Sequence, residues 1–337
     1  MMNNSIDNSI ENINIISSNI KIFRNIKGYK FPTSLKVEEG RNLCKIIKET
    51  LLSSIKNLKF INLWENEGKL DVYKEKGIVT NSLIKNSGFS SFAINDNETF
   101  SVMINEKEHL GLQFKNNGNN IEEMYKYINQ VDDLIEEKLT YLFDDNLGYL
   151  TSDISNVGTG LKVYATIHLP ILSMNDKVTN LLSDLNKTGI TLEGTYGEKG
   201  QSYGNMYVLS NKVTLGVAEE EIISKLQNAV EFIVNEENRA REQMLNNYGK
   251  ELEDKVFRAY GTLKNARILK WIEALDLLSN LRLGLELSLL NIDKEKLNKG
   301  IILIRDSILR ESIKGKADCM DLNVERANVI RNLLEYD

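Results

Sequence analysis

Four stretches of this chain gather the residue types that do polar chemistry. Lys21 and Arg24 lie in residues 17–25, and Glu106, Lys107, Glu108 and His109 are consecutive. Asp153 and Lys162 bracket the glycine-containing frame Asn156-Val157-Gly158-Thr159-Gly160, and Glu193 and Glu198 flank Gly194-Thr195-Tyr196-Gly197. Lysine and arginine can neutralise a phosphate, arginine with a planar fork. Carboxylates can orient a cation or accept a proton. With two cysteines, Cys44 and Cys319, and two histidines, His109 and His168, a zinc site is not expected. The cysteines lie too far apart for a disulfide framework and fit a reducing cytosol, so a cytoplasmic location is expected. Each lone histidine reads as a core or hydrogen-bonding group.

The elements that must position these residues can be read from periodicity. Residues 13–26 suggest a strand, with Pro32 closing the segment, and residues 1–12 a frayed end rich in Asn and Ser. A helix is predicted over 37–56, with Leu43, Ile46, Ile47, Leu51 and Ile55 at helical spacing, and strands over 59–64 and 99–105. Residues 121–143 read as an amphipathic helix and 162–169 as a strand ended by Pro170. A hairpin is predicted from 205–209 and 212–215 around Ser210-Asn211. Beyond residue 218 the three-and-four spacing is continuous to the end, broken at Asn246-Asn247-Tyr248-Gly249. The expected domains are residues 1–240 and 241–337.

A chain of 337 residues with 42% hydrophobic content can bury a sizeable core in two domains. Its net charge of -6 argues against nucleic-acid or anionic-membrane partners. There is no basic segment followed by an apolar run at the start, so no signal peptide is expected. No apolar stretch approaches the roughly 18 residues of a membrane span.

Five segments together resemble the phosphagen (guanidino) kinases, and most closely the bacterial protein arginine kinases of the McsB type. They are residues 17–25 (SSNIKIFRN), 105–111 (NEKEHLG), 150–162 (LTSDISNVGTGLK), 193–198 (EGTYGE), and 252–284 of the helical region. The run Asn129-Gln130-Val131-Asp132-Asp133 also looks like the kinase pattern. The resemblance implies an α+β fold. A phosphagen-kinase-like antiparallel sheet flanked by helices would be followed by an all-helical domain for dimerisation and binding.

The resemblance also implies where ATP and Mg²⁺ would sit, and there the chemistry is altered. Phosphate-binding arginines of the family correspond to Asn19, Lys21, Gly111, Lys162 and Glu193, while Arg24 is retained. Lys107 stands where the family has its central acidic residue, between Glu106 and Glu108, and would repel a guanidinium. Asp153 replaces the family's cysteine, Glu198 matches a substrate-orienting carboxylate, and Gly77 falls where the family has an adenine-stacking histidine. In the helical domain, Leu322, Asn323, Arg326 and Ala327 match a phosphoarginine-binding Arg-Asp-x-x-Arg-Ala motif with its leading pair lost.

Each lost charged hydrogen bond costs about 1.5–3 kcal/mol. The sequence expectation is therefore a catalytically inactive homologue, a pseudokinase serving as a binding or regulatory subunit, with no cofactor and no metal. The alternative is a divergent active ATP:guanido phosphotransferase acting on protein arginine. It would use Lys21, Arg24 and Lys162 for Mg-ATP and Glu198 for the substrate. A third reading is a phosphoarginine reader through Arg326. Expected partners are a second copy or an active paralogue, and a protein client or regulator. Leu275, Leu277, Leu278, Leu281, Leu283, Leu285 and Leu287 offer the apolar surface for self-association.

Overall fold

The computed structural model describes residues 14–65, 70–195, 202–313 and 318–335. The frayed end read over residues 1–12 and Glu198 lie outside the described residues.

Ten strands can be followed in chain order. They are β1 (Ile15–Arg24), β2 (Leu58–Asn62), β3 (Ser91–Asn95), β4 (Phe100–Ile104), β5 (Leu110–Asn117), β6 (Phe143–Asp144), β7 (Gly148–Tyr149), β8 (Leu161–His168), β9 (Ile190–Gly194) and β10 (Met206–Asn211). Eight of them form one antiparallel sheet in the order β2-β3-β4-β5-β1-β8-β10-β9, and β6 and β7 form a small separate hairpin. Around the sheet lie α1 (Val37–Ser54), α2 (Leu70–Glu75), α3 (Asn81–Lys85), α4 (Ile121–Glu136), α5 (Pro170–Met174) and α6 (Val178–Lys187). The helical region holds α7 (Glu219–Asn265), α8 (Trp271–Glu286), α9 (Lys294–Leu303), α10 (Asp306–Ile313) and α11 (Cys319–Leu334). The α+β class expected from the sequence is the one observed.

Side chains alternate across a strand, so each central strand has two different faces. On β1, Ile20 and Ile22 are fully buried and join Leu43, Ile47 and Leu51 of α1 and Met124, Ile128 and Ile135 of α4 in the main core. The other face of β1 carries Asn19, Lys21 and Phe23. Its register neighbours there are Lys115, Gln113 and Gly111 on β5, and Tyr164 and Lys162 on β8. That polar face is the floor of the site.

Several sequence expectations need correction. The predicted helix 121–143 stops at Glu136. Tyr141 then bridges to Ile26, and Phe143 and Asp144 pair with Tyr149 and Gly148. The Asp144 carboxylate accepts the N–H groups of Asn146 and Leu147 to close that turn. The predicted hairpin around Ser210-Asn211 does not form, because β10 runs through both residues between β8 and β9. Asn211 uses its side chain as a sheet partner, accepting from the Val163 N–H and donating to the Leu161 carbonyl.

Helix α7 crosses residue 240 without interruption and kinks at Tyr248, where φ is -138° and ψ is 34°. Its first half buries Ile222, Leu226, Val230 and Ile233 in the main core. Past the kink, Ala259 and Leu263 join Leu275, Leu278 and Leu281 in a second core with Leu297, Ile301 and Ile330. Leu283 is buried in the main core. Four of the seven leucines named for self-association, Leu275, Leu278, Leu281 and Leu283, are thus buried inside the chain, while Leu277, Leu285 and Leu287 are partly buried.

Candidate active site

A cleft of about 290 Å³ opens over the polar face of the sheet. Its lining includes Lys21, Lys162, Glu106, Lys107, Glu108 and Asp153, six residues that the sequence singled out from three separate segments. Strand register brings the lysines together, since Lys21 of β1 lies directly opposite Lys162 of β8. The Lys21 ammonium sits 5.9 Å from the Tyr164 ring centre. Burial holds it below the ordinary lysine value, against the pull of Glu106. Burial likewise lowers Lys162, with Asp153 opposing. Lys162 donates to the Asn211 carbonyl at 3.2 Å. Both are groups whose charge is only partly compensated, which an incoming anion can correct.

The carboxylates divide into two kinds. Glu108 is 1% exposed. It accepts from Asn25 Nδ2 at 2.6 Å, from the Ser152 N–H at 2.8 Å, and from Ser152 Oγ and the Asp153 N–H at 3.0 and 3.1 Å. These four bonds latch the segment just before β5 to Asn25 and to the 150–153 loop. Glu106 is held by Thr80 Oγ1 at 2.6 Å and the Lys107 N–H at 2.9 Å, which aim it into the cleft. Asp153 faces the same space. The Ser155 hydroxyl and N–H, with Lys107, hold its carboxyl below the usual range despite some burial.

Lys107 departs from its expected effect. Its ammonium meets Asp153 Oδ2 at 3.2 Å. Lys107 and Asp153, the two positions at this lip where the sequence departs from the motifs it resembles, thus form one ion pair. The positive charge at 107 is answered locally and does not face an incoming guanidinium alone.

The glycine frame has a steric reason. Gly158 has φ +110°, and a Cβ there would meet the Thr214 carbonyl oxygen at 2.2 Å. Gly160 has φ +63°, and a Cβ would meet the Phe23 carbonyl oxygen at 2.5 Å. Both positions favour glycine by conformation as well as by space. Gly160 lets the chain press against β1, and Gly158 lets it pass close to Thr214 and Leu215.

Other residues named from the sequence fall elsewhere. Arg24 is not in the cleft. It points to the core face, where it bonds Asp132 at 2.6 Å, donates to the Thr159 carbonyl at 2.8 Å and stacks on Tyr149 at 3.5 Å. Gly111 is on the cleft face, with Phe23 and Met103 side chains filling the space beside it. Asn19 is on that face too, its Oδ1 buried without a hydrogen-bond partner. Glu193 is exposed on β9. Burial, then the charges of Glu193 and Asp153, push the Tyr164 hydroxyl up to about 12.

Arg326 is 1% exposed, bonds Asp306, Asn323 and the carbonyls of Ile304 and Leu269, and so works as an internal tie. Leu322 is buried. His109 accepts from the Ile26 N–H and bonds the Lys30 carbonyl, and burial pushes it down to about 4. His168 lies between Glu286 and Ser279, 2.8 Å from each. The sequence reading missed Gln113 and Lys115. Their signal was the alternation Leu110-Gly111-Leu112-Gln113-Phe114-Lys115, which marks a strand with one apolar and one polar face.

Comparisons with known proteins give this geometry its context. Residues 41–240 match the family of the ATP:guanido phosphotransferase C-terminal catalytic domain, and residues 249–337 match the protein-arginine kinase McsB C-terminal domain. A protein-arginine kinase of Clostridium acetobutylicum is 42% identical over 325 residues, covering 95% of this chain and 96% of the relative. One of Clostridium novyi is 41% identical over 98% of this chain and 97% of the relative.

Among solved structures, a lombricine kinase superposes with a TM-score of 0.60 at 22% identity, covering 71% of this chain and 68% of that one. A taurocyamine kinase of Schistosoma mansoni gives 0.60 at 22% identity over 72% of this chain and 36% of that one. These two likenesses bear on the fold. The expectation of a catalytically inactive homologue is overturned by the relatives named protein-arginine kinase, aligned almost end to end at about 40% identity. The expectation of no cofactor loses its support with it, since the family is an ATP-dependent one. With both parts of the chain matched and these relatives covered nearly in full, the chain belongs to the protein-arginine kinase family.

Proposed function

We propose that the protein is an active protein-arginine kinase that transfers the terminal phosphoryl group of ATP to an arginine side chain of a protein substrate. The observation that carries this reading is one cleft in which Lys21 and Lys162, opposite each other on β1 and β8, face the carboxylates of Glu106 and Asp153. A guanidinium is cationic and a triphosphate anionic, and the cleft has a complementary wall for each. Lys21 and Lys162 bind phosphate oxygens. Glu106 and Asp153 orient the guanidinium, and Glu106 accepts its proton as the N–P bond forms and the bond from the γ-phosphorus to the β,γ-bridging oxygen breaks, with ADP as the leaving group. Such transfer relies on positioning and charge stabilisation.

The donor set of lysines and carboxylates fits a magnesium-bound triphosphate, with the metal ion neutralising phosphate charge when bound. Arg24 supports the site from beneath through the Thr159 carbonyl in the glycine frame. Lysine supplies a point charge where the family's arginine supplies a fork, so orientation here falls more on the pocket walls.

The test is to incubate the full chain with Mg-ATP and a protein rich in exposed arginine, and to look for phosphoarginine by ³¹P NMR and by mass spectrometry under non-acidic conditions. An acid-labile phosphoarginine signal that depends on both components is expected. Its absence under conditions where ATP binds would overturn the reading.

A further inference from the structure

Beyond the cleft residues already named, the cationic floor continues along β5. Lys115 lies opposite Asn19, and Gln113 opposite Lys21, so four polar side chains occupy two adjacent rows of one face. Lys115 is half-buried. The charges that act on it are cations, Arg305 and Lys21, and burial plus these neighbours holds it below the ordinary lysine value. The acceptor oxygens Asn19 Oδ1 and Gln113 Oε1 are buried without hydrogen-bond partners, and Gln113 is 3% exposed. Buried polar atoms of this kind usually find partners, so these two call for a ligand or ordered water.

Arg305 comes from the helical region, just before α10. It is brought to this face by defined contacts. Its Nη1 donates to the Glu75 carbonyl, the Ser307 N–H donates to Glu75 Oε2 at 3.2 Å, and Ser307 Oγ donates to the Asp71 carbonyl at 3.2 Å. Two residues beyond Glu75, the Gly77 carbonyl accepts from Gln113 Nε2 at 3.0 Å. Behind Arg305, the buried Arg326 holds both flanking residues, bonding the Ile304 carbonyl and the Asp306 carboxylate. The remnant of the phosphoarginine motif therefore serves as a clamp on this corner.

We infer that Lys115 and Arg305, together with Lys21, form a further phosphate-holding station for the bound nucleotide, so that the helical region supplies part of the nucleotide site. This rests on the proposed kinase function. Gathering like charges on a half-buried face is unfavourable without an anion. An oligophosphate carries several negative charges and reverses the sign of that interaction. The Asn19 and Gln113 oxygens accept from ordered water that bridges them to the phosphate, since an ionised phosphate has no hydrogen to donate.

Calorimetric titration of the full chain with inorganic tripolyphosphate, and separately with Mg-ATP, tests this. Lys115→Gln and Arg305→Gln are each expected to weaken both ligands about 10- to 100-fold, the loss of one charged hydrogen bond. Circular dichroism checks the fold of each variant. Lys115→Gln decides the matter where Arg305→Gln does not fold, because the described hydrogen bonds that dock α10 run to Glu75 and Asp71. Unchanged affinity in Lys115→Gln, or in a folded Arg305→Gln, overturns the inference, as does a wild type that binds no tripolyphosphate. A wild type that binds tripolyphosphate, loses it in both variants and makes no phosphoarginine upholds the station and sinks the kinase reading. Phosphoryl transfer with an unchanged nucleotide KM in both variants does the reverse.

Discussion

Lys21 and Arg24 stand three residues apart on the same strand and reach opposite faces of the sheet, where opposite things happen to their charge. Arg24 is enclosed. Asp132 takes its Nε at 2.9 Å and its second nitrogen at 2.6 Å, Tyr141 donates to the other Asp132 oxygen at 2.9 Å, and Glu219 lies 3.8 Å away. Lys21 faces the cleft with an aromatic ring beside it and a carboxylate at a distance. A charge that the protein answers in full is scaffolding. A charge left partly unanswered on a concave face is available to a ligand. Both Glu106 and Glu108 line the cleft, but Glu108 has four donors around it and Glu106 only two, so the same contrast separates them.

This contrast can be broken by mutation. The largest effect on activity is expected for Glu106→Gln, which should lower the rate of phosphoarginine formation about 10²- to 10⁴-fold, the usual contribution of a positioned acid or base. Its unfolding free energy should move by no more than about 1 kcal/mol. A rate within threefold of the wild type would remove Glu106 from the chemistry. On the closed face the result should be inverted. Asp132→Ala leaves Arg24 buried without its main partner and should cost about 3–5 kcal/mol in denaturant unfolding. Loss of less than about 1 kcal/mol would show that the Arg24 cluster is not holding the sheet to α4.

A smaller effect should come with pH. The folded protein keeps His109 near 4, below the unfolded value of about 6.5. A depressed value gives stability that is present above about pH 6.5 and lost as pH falls through about 4. Between pH 7 and pH 5 this histidine alone should account for a loss of about 2 kcal/mol. Comparing the stability profile of the wild type with that of His109→Gln checks it, since the variant should lack that part of the acid slope. Parallel profiles would contradict the assignment.

Much of the fold was legible because its signals are local. The strand ending at Arg24, the first helix and the Pro170 boundary follow from periodicity and proline geometry. The hairpin read at Ser210-Asn211 failed because turn-forming residues there are pinned by neighbours distant in sequence, Leu161 and Val163. The site divides in the same way. Motif positions identified Lys21, Lys162, Glu106 and Asp153, which do meet. Residue type alone could not tell that Arg24 faces the core, that Lys107 is answered by Asp153, or that Arg305 arrives from some 200 residues away. Those facts depend on which face a strand presents and on what packs against it. An inventory confined to the motifs therefore could not count Lys115 and Arg305, cations outside them that act on the same face.

The central claim is that the open cations of the cleft hold nucleotide while the closed ones hold the fold. Titration of the full chain with Mg-ATP by calorimetry, wild type beside Lys21→Met, tests it most directly. Saturable one-to-one binding is expected for the wild type, weakened about 10- to 100-fold in Lys21→Met with the unfolding midpoint unchanged. No binding by the wild type up to millimolar nucleotide, or equal affinity in both proteins, would contradict it.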